Sequence, residues 1–304
     1  EGYGDLTMRT GASCLSAILL LAVQGAPAPA VETVIWRLGD PDRSDHEFAR
    51  WPDRQTNKPV VVRIGTGTET SQWPKFHPGS GNGDFGGRAC RFTLAFNLPA
   101  PQPEGVFYLD LSLLFRQPRV PAVEVDINGH AGRYYFDPDP MFEVGNNDDQ
   151  FNVIRSVARR KIALPASLFN SGENLLTFIA VDDPPGVTRN RNTGGPGASG
   201  FFYDSLALTE DPDAAVEEKL DVVLTPTVLF PKTAKGVREE CWLTVRSPTA
   251  WPGGKARVAV GRFSTEIETA KPVEFGEARF MVLVPSGLPA GKARIDLAGG
   301  GGDS

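Results

Sequence analysis

The feature that most constrains this chain is a succession of short apolar, β-branched and aromatic runs, each closed by glycine, proline, asparagine or aspartate. They are VIWRL (34–38), VVVRI (60–64), CRFTLAFNL (90–98), VFYLDLSLLF (106–115), VEVDI (123–127), KIAL (161–164), NLLTFIAV (174–181) and FFYDSLAL (201–208). Several alternate with a period of two: Phe92, Leu94 and Phe96 share one face of their strand. Asn128-Gly129, between VEVDI and the aromatic run Tyr134-Tyr135-Phe136, has the chemistry of a two-residue hairpin turn. No segment keeps a helical period over three turns. With 33 glycines and 26 prolines among 304 residues, the chain reads as all-β, a sandwich of short strands joined by loops.

A second set of runs follows a polar, proline-broken stretch, TEDPDAAVEEKL (209–220). These are 220–224, 241–245, 256–260, 279–284 and 293–297, and they fit a small immunoglobulin-like sandwich. The tetrapeptide Gly-Lys-Ala-Arg opens a strand at 254 and again at 291, the same turn chemistry used twice. The predicted organisation is a first β-domain over 31–210, a linker over 211–219, an immunoglobulin-like domain over 220–298 and a flexible tail over 299–304. At the other end, Met8 is the expected start. Arg9, the apolar run 11–23 and Ala28-Pro29-Ala30 together read as a secretory signal peptide over 1–30. The run is too short to span a bilayer, so no membrane span is expected and the protein is read as secreted, extracellular or periplasmic.

The formal charge of −6 excludes a nucleic-acid partner, which needs a basic face. With Cys14 inside the signal segment, only Cys90 and Cys241 remain, and they are expected as buried thiols rather than a disulfide framework. Gly81-Asn82-Gly83-Asp84-Phe85-Gly86 matches a dinucleotide fingerprint in letters only, because a strand follows it where a helix is required. No Gly-x-Ser-x-Gly or His-Glu-x-x-His occurs, so neither a serine hydrolase nor a zincin is signalled. Acidic clusters at Asp40, Asp42, Asp45 and Glu47, and at Asp137, Asp139, Glu143, Asp148 and Asp149, lack the spacing of a calcium loop. A structural calcium is the one cofactor that these clusters leave open.

The most unusual segment is SQWPKFHPGSGNGDFGGR (71–88). Aromatic rings suit the C–H faces of sugars and planar polar groups suit their hydroxyls, so Trp73, His77, Asp84 and Arg88 are candidate carbohydrate-binding residues. The loop DDPPGVTRNRNTGGPGASG (182–200) is long for a compact domain, and its Arg189 and Arg191 could grip an acidic sugar. The same aromatic residues would equally serve to anchor a loop over the sandwich edge.

Five strings, IWRLG (35–39), WPKFHPG (73–79), VDING (125–129), LFNSGENL (168–175) and YDSLAL (203–208), resemble in this order the carbohydrate-binding-like third domain of rhamnogalacturonan lyases. Similar modules precede the catalytic domains of large secreted bacterial glycosidases that resemble alpha-mannosidases. The resemblance covers about residues 34–209. It implies a galactose-binding-like jelly roll that binds a polysaccharide or glycan beside an attached catalytic domain. No lyase catalytic domain is recognisable upstream, so no catalytic residue carries over. The expected function is a non-catalytic accessory region of a secreted polysaccharide-active enzyme. Two other readings stay open: a lyase or hydrolase using His77 as base with Arg88 neutralising a uronate, and a structural or protein-docking β-domain.

Overall fold

A computed structural model describes residues 32–48, 50–52, 58–101, 104–115, 120–136, 143–145, 153–182, 199–217, 219–227, 229–249, 254–269, 274–287 and 293–298. In chain order the strands of the first half are β1 (Thr33–Leu38), β2 (Val60–Arg63), β3 (Phe76–Pro78), β4 (Phe92–Leu98), β5 (Val106–Phe115), β6 (Ala122–Ile127), β7 (His130–Tyr134), β8 (Glu143–Gly145), β9 (Val153–Pro165), β10 (Gly172–Val181) and β11 (Gly200–Asp211). Those of the second half are β12 (Asp221–Pro226), β13 (Lys232–Thr233), β14 (Gly236–Ser247), β15 (Gly254–Val260), β16 (Phe263–Thr269), β17 (Phe275–Pro285) and β18 (Ala293–Ala298). The one α-helical turn, α1 (Glu69–Gln72), and two 3-10 turns are the only helical pieces among the described residues.

The strands form three sheets. The first runs β1-β11-β5-β9-β8, with β3 added to the start of β11. The second runs β2-β4-β10-β6-β7-β17-β14-β12, with β13 on β14, and the third is β16-β15-β18. The alternation in the sequence decides what each strand buries. In β5, Phe107, Leu109, Leu111, Leu113 and Phe115 enter a core that faces β4, β6 and β10, while Tyr108, Asp110 and Ser112 point out. Trp36 and Leu38 of β1 enter the same core and leave Arg37 outside. Asn128 and Gly129 both have positive φ (53° and 94°), and Ile127 pairs with His130 across them, so this is the tight hairpin that the dipeptide predicted. A separate core, with Cys241, Leu243, Ala256, Val258, Val282 and Val284, fills the space between β14/β17 and β15. Cys90 and Cys241 are buried thiols outside any disulfide, as expected.

The second sheet crosses from one sandwich to the other. β17 pairs in parallel with β7, Phe275 opposite Gly132 and Gly276 opposite Arg133, and the Glu274 amide donates to the Ala131 carbonyl at 2.9 Å. Phe275 belongs to the first core and lies against Gly132, where an added Cβ would stand 2.2 Å from the ring. Next to it Glu277 is buried and receives four bonds. Arg160 of β9 donates through Nη2 at 2.5 Å and Nη1 at 3.0 Å, Arg246 of β14 through Nε at 2.7 Å, and the Tyr135 amide at 3.0 Å. Burial alone would raise the Glu277 carboxyl. The bonds and charge of Arg160, the Tyr135 amide and Arg246 outweigh it and hold the pKa below the usual 4.5.

A carboxylate with a depressed folded pKa contributes stability that is complete above its unfolded value and is lost as the pH falls through the folded one. Glu277→Gln should therefore lower the melting temperature at neutral pH, since a broken buried pair costs about 3–5 kcal/mol. It should also flatten the loss of stability below the ordinary value of 4.5. Thermal melts across that range test this, and an unchanged acid limb would refute it.

Candidate functional site

The register of the first sheet lines up its outward side chains in rows. Arg37 is opposite Ala207, Ala207 opposite Asp110, and Asp110 opposite Lys161, across β1, β11, β5 and β9. The next row is Ser205, Ser112 and Arg159. These residues, with Pro41, line a groove of about 350 Å³ on the open face of the sheet. Strands lie about 4.8 Å apart, so a row of four spans roughly 14 Å.

A strap over the same face forms one wall. β11 carries a bulge between Tyr203 and Ser205, and the extra residue, Asp204, is turned to the outer side with its carboxylate buried. Its Oδ1 accepts from the Arg43 amide at 2.6 Å and the Ser44 amide at 3.0 Å, and its Oδ2 from the Ser112 hydroxyl at 2.5 Å. Arg159 donates to the Pro41 carbonyl at 2.7 Å and to Ser112 Oγ at 3.3 Å. Arg43 adopts a positive φ of 70°, a strained conformation that the bond to Asp204 holds in place. Burial raises the Asp204 pKa against the pull of Ser112, the two amides and Arg159. At the other wall, Lys161 donates to Glu32 at 2.5 Å and stands 4.2 Å from the Tyr108 ring. The bond to Glu32, first of all, raises the pKa of Lys161. In the middle, burial pushes Asp110 above its usual value, against the pull of Lys161 and Arg37 and reinforced by Glu32. Arg37 has no hydrogen-bond or ion-pair partner among the described residues. The groove thus offers four cations (Arg37, Arg159, Arg160 and Lys161), one carboxylate held toward its neutral form, and the Ser205 hydroxyl. That set suits a ligand with hydroxyls and a negative group.

The residues singled out from the sequence fall elsewhere. Trp73 and His77 do come together, but inside the core. Trp73 meets Tyr203 at 5.5 Å and Phe92 at 5.9 Å, and His77 stacks on Phe92 at 4.1 Å. Both are wholly buried, so neither offers a face to a sugar. For His77 the cause is β3: part of the segment read as an irregular loop pairs Phe76 with Phe202 and His77 with Phe201. His77 Nδ1 lies 2.6 Å from the Tyr203 hydroxyl and Nε2 lies 3.1 Å from the Cys90 carbonyl. Burial drives its pKa down to about 3, against the bond to Cys90. It is a neutral structural residue and cannot serve as the base of a lyase. Asp84 and Arg88 are exposed, on a loop tied down where Asp182 accepts from the Gly81 amide and the Ser199 hydroxyl, each at 2.6 Å. Arg189 and Arg191 lie outside the described residues, as do Asp137, Asp139, Asp148 and Asp149. In the first acidic cluster, Asp42 accepts from the Ser44 amide and Glu47 from the Asp40 amide. Among the described residues no three metal-ligating side chains converge.

One exposed aromatic escaped the sequence reading. Trp51, 49% exposed, rests on Phe202 at 5.9 Å and Phe76 at 6.1 Å, with Lys75 Nζ 4.6 Å from its ring.

The class that this architecture defines is the all-β, carbohydrate-binding-like sandwich. Residues 34–208, more than half of the chain, match the family described as CBM-like, polysaccharide lyase family 4, domain III, and the chain belongs to that family. No curated protein matches it. Among solved structures it is similar to a GH2 β-galacturonidase from Eisenbergiella tayi (12% identity over 68% of this chain and 33% of that one, TM-score 0.22). It is also similar to a β-D-mannosidase from Dictyoglomus thermophilum (11%, 64% and 24%, TM-score 0.21) and an exo-chitosanase from Amycolatopsis orientalis (13%, 89% and 29%, TM-score 0.20). The chain spans a third or less of the length of these glycosidases. Among the described residues no helix is long and apolar enough to cross a membrane.

The placement of His77 has a direct spectroscopic consequence. Its folded pKa lies far below the ordinary 6.5, so the stability due to neutral His77 is complete above that value and falls as the pH drops below it. Nitrogen-15 spectra of the imidazole should show a neutral ring down to about pH 4, and a ring that titrates near the ordinary value would contradict its burial.

Proposed function

We propose that this chain is the non-catalytic, carbohydrate-binding region of a secreted polysaccharide-active enzyme, with the sandwich over 31–210 capturing glycan for an attached catalytic domain. Family membership supports a carbohydrate-related role. The single observation that carries the binding surface is the cross-strand row Arg37–Ala207–Asp110–Lys161 on an open sheet face. A groove of this kind recognises by contact and breaks no bond. Guanidinium and ammonium groups hold a carboxylate, Asp110 and Ser205 exchange hydrogen bonds with hydroxyls, and Ala207 leaves the floor low enough for a ring to settle. The favoured ligand class is therefore a polysaccharide that contains uronic acid, and retention on it would raise the local concentration of the linked enzyme. Export through the segment at 1–30 would bring the protein to such polymers, and Asp84 and Arg88, with Arg189 and Arg191, remain candidates for a second contact from the loops.

Arg37→Ala combined with Lys161→Ala should weaken binding of oligogalacturonides about tenfold or more, with the fold intact by circular dichroism. Wild-type affinity should fall as salt rises, because the contacts are largely exposed charges. Calorimetric titrations read both effects. Binding that ignores both the substitutions and the salt would place the glycan surface somewhere else.

A further inference from the structure

The groove does not end at Lys161. β9 is the last strand of the first sheet at this level: β8 pairs with Val153–Arg155, and among the described residues no strand pairs with the outer edge of β9 from Lys161 to Pro165. Across that edge lies a second cleft of about 280 Å³, bounded by Lys161, Ile162 and Ala163 on one side and by Lys219, Arg246, Pro248 and Glu277 on the other. The two hollows share Arg160 and Lys161. The row Arg37–Ala207–Asp110–Lys161 therefore points straight into the junction between the sandwiches.

The junction buries one acid and leaves its cations at the surface, where Arg246 also pairs with the exposed Asp221 at 2.8 Å and Lys161 with Glu32 at 2.5 Å, so that among the described residues Lys219 is the cation left without a partner carboxylate. Glu277 is sealed beneath Arg160 and Arg246, with a side-chain exposure of 1%, whereas Arg246 and Lys161 are each 43% exposed. Lys219 is exposed and has no ion-pair partner among the described residues. The parallel β7–β17 ladder and the Phe275 plug hold the two walls in one arrangement, so the cleft is preformed and needs no closure to be used.

We infer that the inter-sandwich cleft is a second anionic subsite, in which Lys219 and Arg246 of the second sandwich bind the continuation of the uronate-bearing chain seated on the Arg37–Lys161 row. This rests on the function proposed above and extends it. The ligand is an internal stretch of polymer several sugars long, and the second sandwich is half of the binding site.

The test uses the full chain and two probes, digalacturonate and hexagalacturonate, in calorimetric titrations. Lys219→Glu should weaken hexagalacturonate about tenfold and leave digalacturonate unchanged. Lys219→Arg should restore the longer ligand, and the melting temperature of both variants should match wild type. Arg37→Ala should weaken both ligands. If Arg37→Ala weakens binding while Lys219→Glu changes neither ligand, or changes both equally, the second subsite is refuted and the first stands. If wild type binds neither probe, the uronate reading fails, and the second subsite with it.

Discussion

A single carboxylate, sealed between two sandwiches, organises this molecule. Glu277 sits on a strand of the second half and takes hydrogen bonds from an arginine of each half and from a backbone amide of the first. A charge removed from water costs several kcal/mol, and only a nearly complete set of donors offsets it. Arg160, Arg246 and Tyr135 must therefore be in position together. Their combined demand fixes where β17 lies against β7, and the parallel ladder and the buried ring of Phe275 follow from that position. Such a pair is a weak source of net stability but a strict source of geometry.

Most of the longer strands were legible in the sequence because each is a local pattern. VFYLDLSLLF announces both a strand and its two faces, and the Asn128-Gly129 turn announces the hairpin around it. The groove was hidden for the opposite reason. Arg37, Asp110 and Lys161 are each visible as a polar position on the outer side of an apolar strand, yet nothing in the chain order says that β1, β11, β5 and β9 are neighbours. Their convergence is a property of strand order. The signal that could have found them is the charged residue between two buried ones, as in Trp36-Arg37-Leu38 and Leu109-Asp110-Leu111.

The segment around Trp73 and His77 shows how composition misleads. Prolines, glycines and aromatics crowded together read as an exposed recognition loop. A three-residue strand, β3, is enough to turn His77 inward, because pairing with Phe201 and Phe202 carries its ring into the aromatic core, where Trp73 just ahead of the strand packs on Tyr203. Pro74 and Pro78 leave His77 few ways to signal its strand by pattern. Conversely, Trp51 follows a plain polar stretch and gives no hint that Phe76 and Phe202 will come to lie beneath it.

Tandem β-sandwiches are often pictured as beads that can be exchanged or reordered along a chain. Here the second sheet has no seam at which to cut. A replacement second bead would have to supply a strand that fits beside Gly132, a phenyl ring of the right reach and an acid at the right depth, while the first bead kept its side of the bargain. The two halves are therefore fitted to one another, and separating them would expose an unpaired strand and an orphaned arginine on the part left behind.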